Sequence, residues 1–163
     1  MKVLGIDASL RGTGLAVIER QGARMVSRHW EVVRMSPQAP HSECLKALRG
    51  RLDAVLAEHR PGAAALEGGF FFKNAKVAMV LGEVRGVAIS CCAAAGVPTF
   101  EYSPRRAKQN VTGWGAAPKD QVAKMVKSVL GLPEMPPPDA TDAMALALCH
   151  AQTGRGIVEN GPI

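Results

Sequence analysis

The sequence predicts one α/β domain on a five-stranded mixed sheet, three antiparallel strands followed by two parallel ones, with helices on its faces. Three observations predict it. The first 35 residues hold three extended apolar stretches with glycines between them. Two later apolar runs are short, and each follows a stretch that reads as a helix. No long polar or proline-rich segment divides the 163 residues, which are enough to bury a sizeable core.

Lys2–Asp7 reads as a buried strand that ends on a carboxylate. Gly12 and Gly14 supply a turn into Thr13–Arg20, its hairpin partner. Arg24–Met35 sets Met25, Val26, Trp30, Val32 and Val33 among polar residues in a mostly extended pattern, giving a third antiparallel strand. Pro37 and Pro40 stop the sheet. Ser42 is placed to cap a helix to about His59, along which Cys44, Leu45, Leu48, Leu52, Val55 and Leu56 recur at helical spacing. Gly62–Glu67 is apolar until its last residue, as a buried parallel strand after a crossover helix should be, and is expected beside the first strand. Lys73–Ala95 then reads as a long helix, Val97–Tyr102 as the fifth strand, and Pro118–Leu130 as a helix with proline in its first turn. A last helix follows Pro136, Pro137 and Pro138, so residues 1–152 make the domain and 153–163 a flexible tail.

Lys and Arg number 20 against 14 Asp and Glu, a net charge of +6 that favours polyanionic partners, although a merely basic soluble surface has the same balance. Cys44, Cys91, Cys92 and Cys149 form no CxxC pair and have no histidine at zinc spacing, so reduced, small apolar roles are expected. His29, His41, His59 and His150 lack ligand spacing too and are expected at the surface. The apolar run before Asp7 is too short for a signal-peptide core, and Val77–Val97 is interrupted by Glu83 and Arg85. No membrane span is expected, and the expected location is the cytoplasm.

Asp7, Glu67, Asp139 and Asp142 are the candidate site. Asp7 and Glu67 end two strands expected to be neighbours, and Asp139 and Asp142 stand three apart on one helix face. Unpaired carboxylates near a core are costly, and hard oxygen ligands suit Mg²⁺ or Mn²⁺; two such ions about 3.5–4 Å apart can hold a phosphate and activate a water. Structural alternatives exist for three of them: Asp139 as a helix N-cap, Asp142 as a first-turn dipole partner and Asp7 as a turn residue. Glu67, at the end of an apolar strand, has no such alternative. Elsewhere, Phe70, Phe71 and Phe72 are consecutive and cannot all face one core, so at least one is available to stack on bases. Tyr102 is followed by a basic stretch with Arg105, Arg106 and Lys108, either a phosphate-binding segment or a solvated face.

Gly5-Ile6-Asp7, Gly12-Thr13-Gly14, Leu66-Glu67-Gly68-Gly69-Phe70, Phe72-Lys73-Asn74, Leu81-Gly82-Glu83-Val84-Arg85-Gly86 and Asp139-Ala140-Thr141-Asp142-Ala143 occur in that order. With these motifs the chain resembles the RuvC Holliday-junction resolvase family over about residues 3–150. The resemblance implies an RNase H-like fold and a homodimer that nicks opposed strands of four-way junction DNA. It implies two Mg²⁺ ions per site, with Mn²⁺ as a substitute, held by Asp7, Glu67, Asp139 and Asp142. Lys108 and Lys119 match family lysines near the scissile phosphate, and Phe70 the aromatic that touches a base; Phe71, Lys73, Arg105 and Arg106 complete the expected DNA contacts. The helix from Lys73, rich in small residues, matches the family's dimer helix, and a branch-migration motor complex is a further expected partner. The chain departs from the family at Asp7-Ala8-Ser9, where Asp-Pro-Gly is common. The rival functions are an RNase H-like ribonuclease acting on structured RNA or hybrids, and a non-catalytic junction-binding scaffold.

Overall fold

The computed structural model describes residues 1–68, 74–153 and 161–163. Three antiparallel strands, β1 (Lys2–Asp7), β2 (Gly12–Gln21) and β3 (Arg24–Arg34), lead into α1 (His41–His59). Then come β4 (Ala63–Glu67), α2 (Ala75–Ala94), β5 (Thr99–Tyr102), α3 (Pro104–Thr112), α4 (Lys119–Leu130) and α5 (Pro138–Gln152). The sheet order is β3-β2-β1-β4-β5, with β4 and β5 parallel to β1. The mixed sheet predicted from the sequence is thus the one that forms.

Alternation along the central strands explains the layers. Val3 of β1 with Ala16 and Ile18 of β2 face a core shared with α3, α4 and α5, while Leu4, Ile6, Leu15 and Val17 face α1 and α2. Both faces are therefore buried, as the nearly continuous apolar runs require.

Gly12 and Gly14 lie inside β2 rather than in the preceding turn, and the reason is α5. A Cβ on Gly14 would fall 2.0 Å from the Asp139 carbonyl oxygen, and one on Gly5 would fall 1.9 Å from that of Ala143. Backbone meets backbone at both points, which is how the start of α5 comes down onto the end of β1. The turn itself is 8–11. Its Ser9 hydroxyl accepts from the Gly12 N–H at 3.1 Å, and its Ser9 N–H donates to the Thr13 hydroxyl at 3.2 Å, so side chains close the Asp7-Ala8-Ser9 turn.

Other expectations are corrected. Ser42 does not cap α1; Pro40 holds the N-cap position and no side chain caps that end. A helix not anticipated, α3, fills the basic stretch after Tyr102, with Ser103 accepting from the Arg106 N–H and Pro104 in the first turn. His150 is buried at 6 % exposure rather than on the surface, its Nδ1 2.8 Å from the Tyr102 hydroxyl; burial lowers its pKa. All four cysteines are free and buried. Of the expected tail, residues 154–160 lie outside the described residues, and the Ile163 N–H donates to the Thr99 carbonyl at 2.9 Å.

By length and composition α2 is apolar enough to cross a membrane, at mean hydropathy 1.6. Its Val84, Ala88, Cys91 and Cys92 are buried against the sheet layer, yet Val77 and Met79 on the outer side stand 48 % and 68 % exposed.

Candidate active site

Parallel pairing of Ile6 with Leu66 puts Asp7 and Glu67 side by side at the carboxyl ends of β1 and β4. The third and fourth carboxylates arrive on α5. Pro137 holds the N-cap position of that helix and Pro138 begins it, so Asp139 sits in the first turn without acting as the cap, and Asp142 follows one turn on. The close contact of Gly14 with Asp139 brings both over the strand ends. Lys119, the first residue of α4, donates to Asp142 Oδ2 at 2.9 Å, a bond that raises the lysine pKa. Lys108 of α3 closes the rim. Asp7, Glu67, Lys108, Lys119, Asp139 and Asp142 together line a cleft of about 230 Å³.

Electrostatics distinguishes these groups. Burial, then the negative charges of Asp142, Glu67 and Asp139, push the Asp7 pKa up to about 7. Burial and Asp142 raise that of Glu67 as well, with Lys119, Arg85 and Lys108 opposing. A carboxylate whose pKa is pushed up by burial and by neighbouring negative charge is under-compensated, which is the condition a bound cation relieves. All the donors are carboxylate oxygens, suited to a hard divalent ion. Among the described residues no three His, Cys, Asp or Glu side chains stand as a finished ligand set. The residues present fit a hard cation.

Of the expected DNA contacts, Phe70, Phe71 and Lys73 lie outside the described residues. Arg105 is exposed on the first turn of α3. Arg106 lies over the Tyr102 ring, 5.6 Å from its centroid, and is partly buried.

Sequence reasoning passed over Arg85. From α2 its guanidinium donates to the main-chain carbonyl of Glu67 and to the carboxylate of Glu101 on β5. Gly68 follows directly, and a Cβ there would fall 2.8 Å from Glu101 Cβ. Arg85 thus ties α2 to the end of the strand that carries Glu67. An arginine within a largely apolar helical run was the available signal, because such a charge must find partners.

The family model for crossover junction endodeoxyribonuclease RuvC matches residues 3–150. A crossover junction endodeoxyribonuclease RuvC from Myxococcus xanthus is 44 % identical over 160 residues, covering 97 % of this chain and 84 % of the relative. The structure of Thermus thermophilus RuvC in complex with a Holliday junction substrate superposes with a TM-score of 0.92 at 38 % identity, covering 100 % of this chain and 99 % of that one. The yeast mitochondrial Holliday junction resolvase Ydc2, at 13 % identity and a TM-score of 0.62, shares the fold alone, with 90 % of this chain and 76 % of that one covered.

Proposed function

Because the chain belongs to the RuvC family of crossover junction endodeoxyribonucleases, we infer that it is a divalent-metal-dependent nuclease that resolves Holliday junctions by paired, symmetric nicks in opposed strands. Recombination and repair of DNA are the processes that need this phosphodiester hydrolysis. The observation that supports a role for particular residues is the cleft in which Asp7, Glu67, Asp139 and Asp142 meet Lys108 and Lys119. Mg²⁺, as two ions per site with Mn²⁺ as a substitute, supplies when bound a lowered pKa for the attacking water and charge to offset the departing 3′ oxygen.

The chain's own residues do the rest. Asp7, Glu67, Asp139 and Asp142 would hold the cations, and Asp7, its pKa pushed up to about 7, would bind them as the carboxylate. Lys119 orients Asp142 through their 2.9 Å bond and, with Lys108, sets positive charge where the phosphate accumulates negative charge. Phe70 and Phe71 stack on opened bases, while Lys73, Arg105 and Arg106 hold phosphates. Residues 1–152 form the nuclease domain, acting in the cytoplasm.

A homodimer completes the reading. What supports it is the outer face of α2, where Val77 and Met79 are exposed beside an apolar depression lined by Leu10, Val80 and Leu81. A two-fold axis there repeats the site once on each side of a junction, the symmetry paired nicking requires, and leaves the junction open to a branch-migration motor complex.

Substrate competition tests the activity. In equal Mg²⁺, with a four-way DNA junction and an RNA–DNA hybrid at the same concentration, the junction is expected to be cut and the hybrid left intact. Degradation of the hybrid with the junction untouched would instead make the protein a ribonuclease.

A further inference from the structure

The loop between α3 and α4 holds up an indole for which the fold has no use. Trp114 is 55 % exposed, while its neighbours Val111 and Ala117 serve the core. Its backbone is fixed: the Thr112 hydroxyl accepts from the Trp114 N–H at 3.1 Å, and the Ala117 N–H donates to the Trp114 carbonyl at 3.1 Å. Gly113, at φ 78°, turns the chain back along α3. There a Cβ on Gly115 would fall 2.6 Å from Arg105 Cγ, so the stem of Arg105 lies against the residue next to the indole. Among the described residues Arg105 has no carboxylate partner. Lys108 stands one turn further along α3, and Lys119 opens the helix that follows; both line the cleft.

An exposed aromatic beside Arg105, on the loop joining two helices whose Lys108 and Lys119 line the cleft, has the chemistry of a single-strand or opened-duplex contact: the ring stacks and the cation holds backbone. On the reading of this chain as a junction endonuclease, we propose that Trp114 stacks on a nucleobase of the junction arm flanking the scissile phosphate, with Arg105 on the adjacent phosphate. This makes the α3–α4 loop a DNA contact distinct from the Phe70–Phe72 segment. It acts in binding and in the choice of the flanking base, not in the chemical step.

The chain's tryptophans are Trp30 and Trp114, so a Trp30→Phe protein reports on Trp114 alone. With full-length protein in EDTA, titration of a synthetic four-way junction is expected to quench Trp114 emission saturably and to shield it from acrylamide. Trp114→Ala is expected to weaken junction binding by about tenfold at an unchanged Tm, with Trp114→Phe restoring most of the affinity. Arg105→Gln is expected to lower the salt slope of binding by about one. Unchanged emission and acrylamide access at saturating junction would overturn the contact while leaving the nuclease reading intact. Emission that changes with protein concentration and not with DNA would overturn it in favour of a protein interface. Failure of the unsubstituted protein to bind junctions at all would remove the reading on which the proposal rests.

Discussion

Glu67→Gln is expected to bind four-way junctions with near-normal affinity and to cleave them about a thousandfold more slowly, a loss of about 4 kcal/mol of transition-state stabilisation. Glutamine keeps the size of the side chain and leaves the Glu67 main-chain carbonyl free to receive Arg85, so the strand end and the surface that meets DNA are undisturbed. What disappears is one of the four proposed anionic ligands. Glu67 is already raised by burial and by Asp142, so a neutral residue costs the fold nothing at that point. The measurement pairs junction affinity in EDTA with cleavage in Mg²⁺; retained cleavage would take Glu67 out of the site.

Asp7→Asn is expected to stabilise the metal-free protein at pH 8 and to stabilise it by less than half as much at pH 5. The sign follows from the folded pKa of about 7 against an ordinary value of 3.8. Between those values the folded state keeps a proton that the unfolded chain has released, so stability falls as pH rises through the window, and above it the full cost of a buried, repelled carboxylate is present. Removing that charge is expected to gain on the order of 2 kcal/mol at pH 8, about 5 °C in Tm for a chain of this size. Mg²⁺ then separates the proteins: the unsubstituted chain gains Tm on adding the ion and Asp7→Asn gains little, because its repulsion is already gone. Thermal melts at both pH values, with and without Mg²⁺, check this. A variant less stable than its parent at pH 8 in EDTA would mean that Asp7 is compensated within the protein and needs no cation.

The strands were legible because both faces of β1 and β2 are buried, which writes their extent as apolar runs. The positions of the carboxylates were legible for a related reason, since each breaks an apolar pattern or follows prolines that fix a helix start. Their convergence was not. It depends on Gly5 and Gly14 admitting the backbone of α5, and a glycine in a strand looks the same whether it turns the chain or makes room for another element. Helix α3 was missed because Ala107 and Val111 alone carry its buried face, too little for a periodic signal, although Ser103-Pro104 was a legible start. His150 was misplaced because α5 is buried almost all round and the partner that makes this tolerable, Tyr102, lies far away in sequence. Arg85 and Trp114 gave only the bare signal of a residue out of character with its surroundings. What each touches is tertiary information.

On the proposed reading, Asp7, Glu67, Asp139 and Asp142 form a metal-dependent centre used twice, symmetrically, on one DNA junction. The decisive measurement maps nicks on an immobile four-way junction labelled in turn on each strand, in Mg²⁺ and in EDTA. Two nicks at symmetry-related positions in opposed strands, dependent on Mg²⁺ and absent from the Glu67→Gln protein, are expected. Nicks in a single strand, nicks scattered over all four arms, or cleavage that persists in EDTA would contradict it.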